Sequence, residues 1–75
     1  MAARVVGKQF DAGAGAVVVT IEDDLGARSV HTIHVLEPDG TEADVAGHIA
    51  RAMQQAEERA ARVRAAFEKH GWKGR

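Results

Sequence analysis

Two runs of β-branched residues with a five-residue gap between them constrain the fold more than any other feature of the sequence. The runs are AVVVTIE (16–22) and RSVHTIHVL (28–36), and the gap reads DDLGA (23–27). β-Branched residues favour strands. Gly26 suits the left-handed position that follows a type I turn in a three-residue hairpin loop. The sequence therefore predicts an antiparallel hairpin in which Asp23 pairs with Ala27.

This loop fixes the register of the hairpin. It places Glu22 opposite Arg28, as a cross-strand ion pair, and Val17 opposite Ile33. A slip of one residue would move every side chain to the other face and scatter the apolar set. The register predicts two faces. The core face consists of Val17, Val19, Ile21, Ile33 and Val35. The mixed face consists of Val18, Thr20, Val30, Thr32, His34 and Leu36.

A further strand, RVVGKQF (4–10), precedes the hairpin and carries a less regular pattern. Gly7 interrupts it, and the loop DAGAG (11–15) joins it to the next run. The sequence leaves its register open. Simple pairing would place Val6 and Phe10 on the mixed face beside Val18.

A single long helix, from about residue 42 to about residue 70, follows a turn at Pro38-Asp39-Gly40. Thr41 suits the N-cap position, and Asp44 lies three residues later, as in a capping box. Apolar residues then recur every three or four positions, which is the period of one helix face. This stripe consists of Val45, Ile49, Met53, Ala56, Ala60, Val63 and Phe67.

The predicted fold class is therefore α+β: a three-stranded antiparallel β-meander followed by one long C-terminal α-helix (βββα). We expect residues 1–75 to form a single small domain, with strands at about 4–10, 16–22 and 28–36 and a basic tail at 71–75.

The helix is expected to end in a Schellman motif within the segment FEKHGWKGR (67–75). Gly71 falls where a left-handed residue should stop the helix, with His70 as the C-cap. Phe67 and Trp72 are then the two residues whose side chains meet in that motif. Trp72 can instead serve as a docking residue for a partner, and one residue can do both.

The length of the helix indicates that the protein is a homodimer. Twenty-nine helical residues reach about 43 Å, whereas the strands span only about 20–26 Å. We therefore expect Ala60, Val63 and Phe67 to extend past the sheet and to pack against a second copy. Small domains often need such support, and this chain contains no cysteine. An antiparallel helix pair would set Glu57 against the partner's Arg64.

The predicted function is that of a non-enzymatic protein-interaction or accessory module that self-associates through its long helix, its mixed sheet face, or both. It would be cytoplasmic and would serve a protein partner that the sequence does not identify. The predicted interface residues are Ala56, Ala60, Val63, Phe67 and Trp72 on the helix side and Val18, Val30 and Leu36 on the sheet.

Nucleic-acid binding is the alternative function, because the C-terminal third is basic although the net charge is −1. The possible phosphate contacts are Arg59, Arg62, Arg64, Lys73 and Arg75. The sequence pI of about 6.4 favours this alternative less, because nucleic-acid-binding domains commonly have a pI above about 9. The basic residues can also form a solvated helix face.

No pattern in the sequence predicts a catalytic, cofactor or metal site. His31 and His34 point to opposite faces of one strand, so they cannot share an ion. Ser29 and His31 share a face, but side chains two apart on a strand run parallel, so no hydrogen bond is expected between them. The stretch GAGAV (13–17) lacks the third glycine of a dinucleotide loop and precedes a strand instead of a helix.

Membrane insertion and secretion are not predicted either. No apolar run approaches the roughly 20 residues that span a bilayer. The segment MAARVVGKQF (1–10) lacks the continuous apolar region of a signal peptide, which is the basis for the expected cytoplasmic location.

Overall fold

A computed structural model describes residues 3–73 and confirms the βββα fold. Strands β1 (Arg4–Asp11), β2 (Ala16–Glu22) and β3 (Arg28–His34) form an antiparallel sheet in the order β1-β2-β3. Helix α1 (Val45–Lys69) follows them. No helix within the described residues is long and apolar enough to cross a membrane.

The hairpin between β2 and β3 has the predicted register. Glu22 pairs with Arg28 and Val17 pairs with Ile33. In the turn, Asp23 N donates to the carbonyl oxygen of Ala27 at 3.0 Å. Gly26 has a φ of 89°, which is the left-handed conformation that the loop requires.

The first strand departs from simple pairing because of an irregularity between Val5 and Gly7. An inserted residue reverses the side on which the later side chains point. Phe10 therefore lies opposite Val17, on the helix-facing side of the sheet, and its expected place beside Val18 is wrong. Its side chain stays 78% exposed, because α1 packs chiefly on β2 and β3.

The core lies between the helix and the predicted core face of the sheet. Val19 and Ile21 are the largest fully buried side chains, at 0% and 1% exposure. Around them lie further buried and half-buried apolar residues from the sheet, the helix and the N-terminus, namely Ala3, Val17, Ile33, Val35, Val45, Ile49, Ala52, Met53 and Ala56.

The helix begins three residues later than predicted, and Asp44, not Thr41, is its N-cap. The carboxylate of Asp44 accepts from Gly47 N at 3.0 Å. Thr41 instead donates to Asp39 through both its amide and its hydroxyl. Residue 42 still pairs with the extension of β3, as an isolated bridge between Leu36 and Glu42, so the chain is extended where helix was expected.

The helix packs against its own subunit over a longer segment than predicted. Ala60 is only 2% exposed, so the expectation that it needs a surface outside its own subunit is wrong. The β2–β3 turn extends along the helix as far as Arg64, which contacts Asp24. The helical segment that passes beyond the sheet is therefore shorter than the sequence suggested.

Candidate interaction surfaces

The sheet has one face that no described element covers. We call it the open face; it carries the side chains of Val18, Thr20, Val30, Thr32 and His34. The helix packs on the opposite side. Val30 is 66% exposed, and Thr32 and His34 are also exposed, while the side chains of the central strand are half-buried.

A one-sided sheet makes the molecule thin and leaves it with more surface than its mass requires. Its radius of gyration is 15.3 Å, against about 11 Å for a compact domain of this length. Its accessible surface is 5452 Å², about 1,000 Å² more than the roughly 4,450 Å² typical of a globular monomer of 8.0 kDa. An average interface hides about 800 Å² on each partner.

A groove follows the outer side of β3, between that strand and the helix. It consists of two adjoining depressions of about 540 and 410 Å³. Both are lined by Thr32, Ile33 and His48. The larger extends past the end of β3 to Leu36, which is 55% exposed.

The C-terminus of the helix forms the predicted Schellman motif. Trp72 N donates to the carbonyl oxygen of Phe67 at 3.0 Å, and Gly71 N donates to that of Glu68 at 3.2 Å. The rings of Phe67 and Trp72 meet edge to face with their centroids 5.6 Å apart. Phe67 keeps 49% of its surface exposed, so the pair closes the helix and also presents an apolar tip to solvent.

Replacing Gly71 with alanine should destabilise the protein by about 1–2 kcal/mol, because its φ is 96° and a Cβ is strained in the left-handed region. Urea denaturation followed by circular dichroism measures the loss. Gly13→Ala is the matched control: Gly13 has no positive φ, and an added Cβ there meets only ordinary contact. Equal losses in both variants would contradict the role of Gly71 in the cap.

Two arginines of the helix hold the acidic β2–β3 turn. Arg59 lies 3.6 Å from the carboxylate of Asp23, and Arg64 lies 2.7 Å from that of Asp24. Asp23 is 7% exposed. The charge asymmetry along the chain is thus partly compensated within one subunit, an arrangement that sequence reasoning missed because the partners are about 40 positions apart.

The antiparallel helix pair expected from the sequence depends on Glu57 and Arg64, and both side chains already have partners within their own chain. Arg64 is engaged with Asp24. Glu57 accepts a hydrogen bond from Ala3 N at 3.1 Å, which ties the start of the chain to the helix. Neither side chain is free to serve as the expected contact between subunits without giving up its partner in its own chain.

The other charged cluster joins all three strands. Glu22 accepts from Arg4 at 2.8 Å and from Arg28 at 3.0 Å, across both neighbouring strands. These hydrogen bonds, from Arg4 first and then Arg28, lower the pKa of the Glu22 carboxyl. The cluster pins the Arg28 end of the sheet and favours the ionised form of Glu22.

The predicted contact residues fall into three groups. Ala60 is buried inside its own subunit. Half-buried residues form the second group, namely Ala56, Val63, Trp72 and Val18. Exposed ones form the third, namely Phe67, Val30 and Leu36. Of the proposed phosphate contacts, Arg62 and Lys73 are exposed, and Arg75 lies outside the described residues.

One expectation about polar chemistry is wrong. Ser29 Oγ and His31 Nε2 are 2.9 Å apart and form a hydrogen bond, although they lie two residues apart on one strand. A catalytic dyad also needs an acid that orients the imidazole and donors for an oxyanion. Asp23, the buried acid near this strand, accepts instead from Leu25 N and Ala27 N. No metal-binding cluster of His, Cys, Asp or Glu occurs within residues 3–73.

Comparison with known proteins gives no relative: no protein-family model, no curated protein and no solved structure matches this chain.

Proposed function

We propose that this protein is a small, non-enzymatic interaction or accessory module that self-associates. The sheet, which the helix covers on one side only, carries the proposal. It exposes Val30 on a face that α1 leaves uncovered, in a molecule whose surface exceeds that of a typical monomer by about 1,000 Å². Burying such a surface against another protein is the ordinary way to stabilise a fold this thin.

Nucleic-acid binding has less support. Arg59 and Arg64 are paired with Asp23 and Asp24, so phosphates would have to compete with carboxylates for them. Arg62 and Lys73 are the described basic residues of the proposed set that lack such a partner. Few phosphate contacts give weak binding with a shallow dependence on salt.

Sedimentation equilibrium of the unmodified protein from about 1 to 500 μM tests the proposal. We expect the mean mass to rise from that of one 8.0 kDa chain toward that of two. A mass that remains at one chain across this range would contradict self-association. Retention on a heparin column at physiological salt would instead support the nucleic-acid alternative.

A further inference from the structure

The outer edge of β3 presents backbone groups that no described strand pairs. Within residues 3–73, β3 pairs only with β2. Val35 N donates to the carbonyl oxygen of Gly15 at 2.9 Å. Backbone groups alternate in direction along an antiparallel strand, so the N–H and C=O groups of Val30, Thr32 and His34 point away from β2. We call these three residues the β3 edge.

The β3 edge is accessible. The groove described above runs beside it, and Val30, Thr32 and His34 are all exposed. The segment after β3 turns away through a hydrogen bond from Ala43 N to the carbonyl oxygen of Val35, so it does not lie along the edge.

The two edges of the sheet differ in how they are protected. Proteins discourage strand addition with bulges and edge lysines, and β1 has both: the irregularity between Val5 and Gly7, and Lys8 beside it. β3 has no lysine, proline or acidic residue, and its one charge is Arg28 at its first position. With a single open edge, pairing of identical copies closes at two instead of growing into a fibre.

We propose that two copies join by antiparallel pairing of their β3 strands about a two-fold axis at Thr32. This rests on the proposed self-association and places the contact at the edge of the sheet. Val30 of each copy pairs with the partner's His34, Thr32 pairs with the partner's Thr32, and about six backbone hydrogen bonds form. The product is one continuous six-stranded sheet with both helices on the same side.

Charge favours this antiparallel arrangement. The segment 37–44, at one end of β3, contains four acidic residues and no basic one. At the other end, Arg4 and Arg28 share the single carboxylate of Glu22. Antiparallel pairing brings the acidic end of one copy toward the basic end of the other, whereas a parallel pair would bring like charges together.

The surface areas agree with a second copy of the chain as the partner. Strand pairing would bury the β3 edge, and the approach of the two helices would bury the groove beside it. The excess surface of about 1,000 Å² is close to the roughly 800 Å² that each partner contributes to a stable interface.

Thr32→Pro tests the proposal, because the Thr32 N–H points away from β2 and proline removes no bond of the folded monomer. We expect the dimer dissociation constant to rise about 100-fold or more, with the far-UV circular dichroism unchanged. Lys8→Pro is the matched control: it places proline at an outward position of the β1 edge and should leave the dissociation constant within about threefold.

Two further variants separate the β3 edge from the other surfaces. Val18→Lys tests stacking of the open face, and Phe67→Asp tests contact through the helix tip; both should still dimerise. One combination of results overturns the edge pairing while self-association stands. In it the wild type and Thr32→Pro dimerise equally well, and Val18→Lys or Phe67→Asp does not dimerise. A wild type that is monomeric throughout overturns both.

Hydrogen exchange gives a readout that does not depend on a variant folding. Edge pairing should slow exchange of the Val30, Thr32 and His34 amides as protein concentration rises, by about 100-fold between the monomeric and dimeric ranges. The amide of Val18, already within the sheet, should change little. Exchange at the three edge amides that is fast and independent of concentration in a dimeric sample would refute the pairing.

Discussion

Truncating Ile21 to alanine should remove a large part of the stability of the protein. Ile21 is 1% exposed at the centre of the only described core cluster. Removing a buried isoleucine to Cβ costs about 2–5 kcal/mol, including the cavity that remains. A chain of this length has only about 4–11 kcal/mol of stability in total, so one such loss removes a large part of it.

The measurement is urea denaturation at one fixed protein concentration, because self-association adds stability that depends on concentration. Phe10→Ala is the control. It removes a larger side chain, but one that is 78% exposed, with Lys8 Nζ 5.9 Å from its ring. We expect it to cost less than about 1 kcal/mol. A loss from Phe10→Ala equal to that from Ile21→Ala would mean that burial on the sheet does not determine stability here.

Replacing Asp23 with alanine should produce the second large effect. Its carboxylate accepts from Leu25 N at 2.9 Å and from Ala27 N at 3.0 Å, and Arg59 lies 3.6 Å away. Hydrogen bonds to a charged group contribute about 1.5–3 kcal/mol. We expect Asp23→Ala to lower the free energy of unfolding by about 2–4 kcal/mol, measured by urea denaturation.

Two substitutions serve as controls for Asp23. Asn at position 23 keeps an oxygen that can accept from Leu25 N and Ala27 N, so it should restore more than half of the stability. Asp24→Ala removes the ion pair with Arg64, whose side chain is 37% exposed, and should cost less than about 1 kcal/mol. Equal losses from Asp23→Ala and Asp24→Ala would show that the buried turn carboxylate has no special role.

Local chemistry explains why two parts of the fold could be predicted well. The hairpin register follows from a loop in which Gly26 occupies the left-handed position, because such loops allow few registers. The helix end follows from Gly71 and from the spacing of Phe67 and Trp72. In both cases the deciding residues lie within a few positions of one another, so no knowledge of distant contacts was needed.

The errors have an equally definite origin in backbone pairings that residue preferences do not reveal. Thr41 and Asp44 are both good N-caps by local criteria, and the bridge between Leu36 and Glu42 selected the later one. In β1, one inserted residue between Val5 and Gly7 moved Phe10 to the other face. Local preference does not distinguish these alternatives. The N-cap depended on the isolated Leu36–Glu42 bridge, and the place of Phe10 depended on how β1 pairs with β2.

The candidate surfaces divide in the same way. The sequence predicted the mixed face that contains Val30, because alternation in a strand of known register assigns each side chain to a face. It could not predict that Ala60 is buried, or that Arg64 serves Asp24, because these depend on how far the β2–β3 turn extends along the helix. The open β3 edge is also a tertiary property: its position in the sheet leaves its outer backbone groups without partners.

The sequence by itself thus determined the order of elements, the hairpin register and the helix stop, through turn geometry and side-chain periodicity. The tertiary structure decided where the helix starts, which charges are neutralised within the chain and which edge of the sheet is open. The physical reason is that the first set depends on backbone preferences of neighbouring residues. The second depends on hydrogen bonds and packing between segments that only folding brings together.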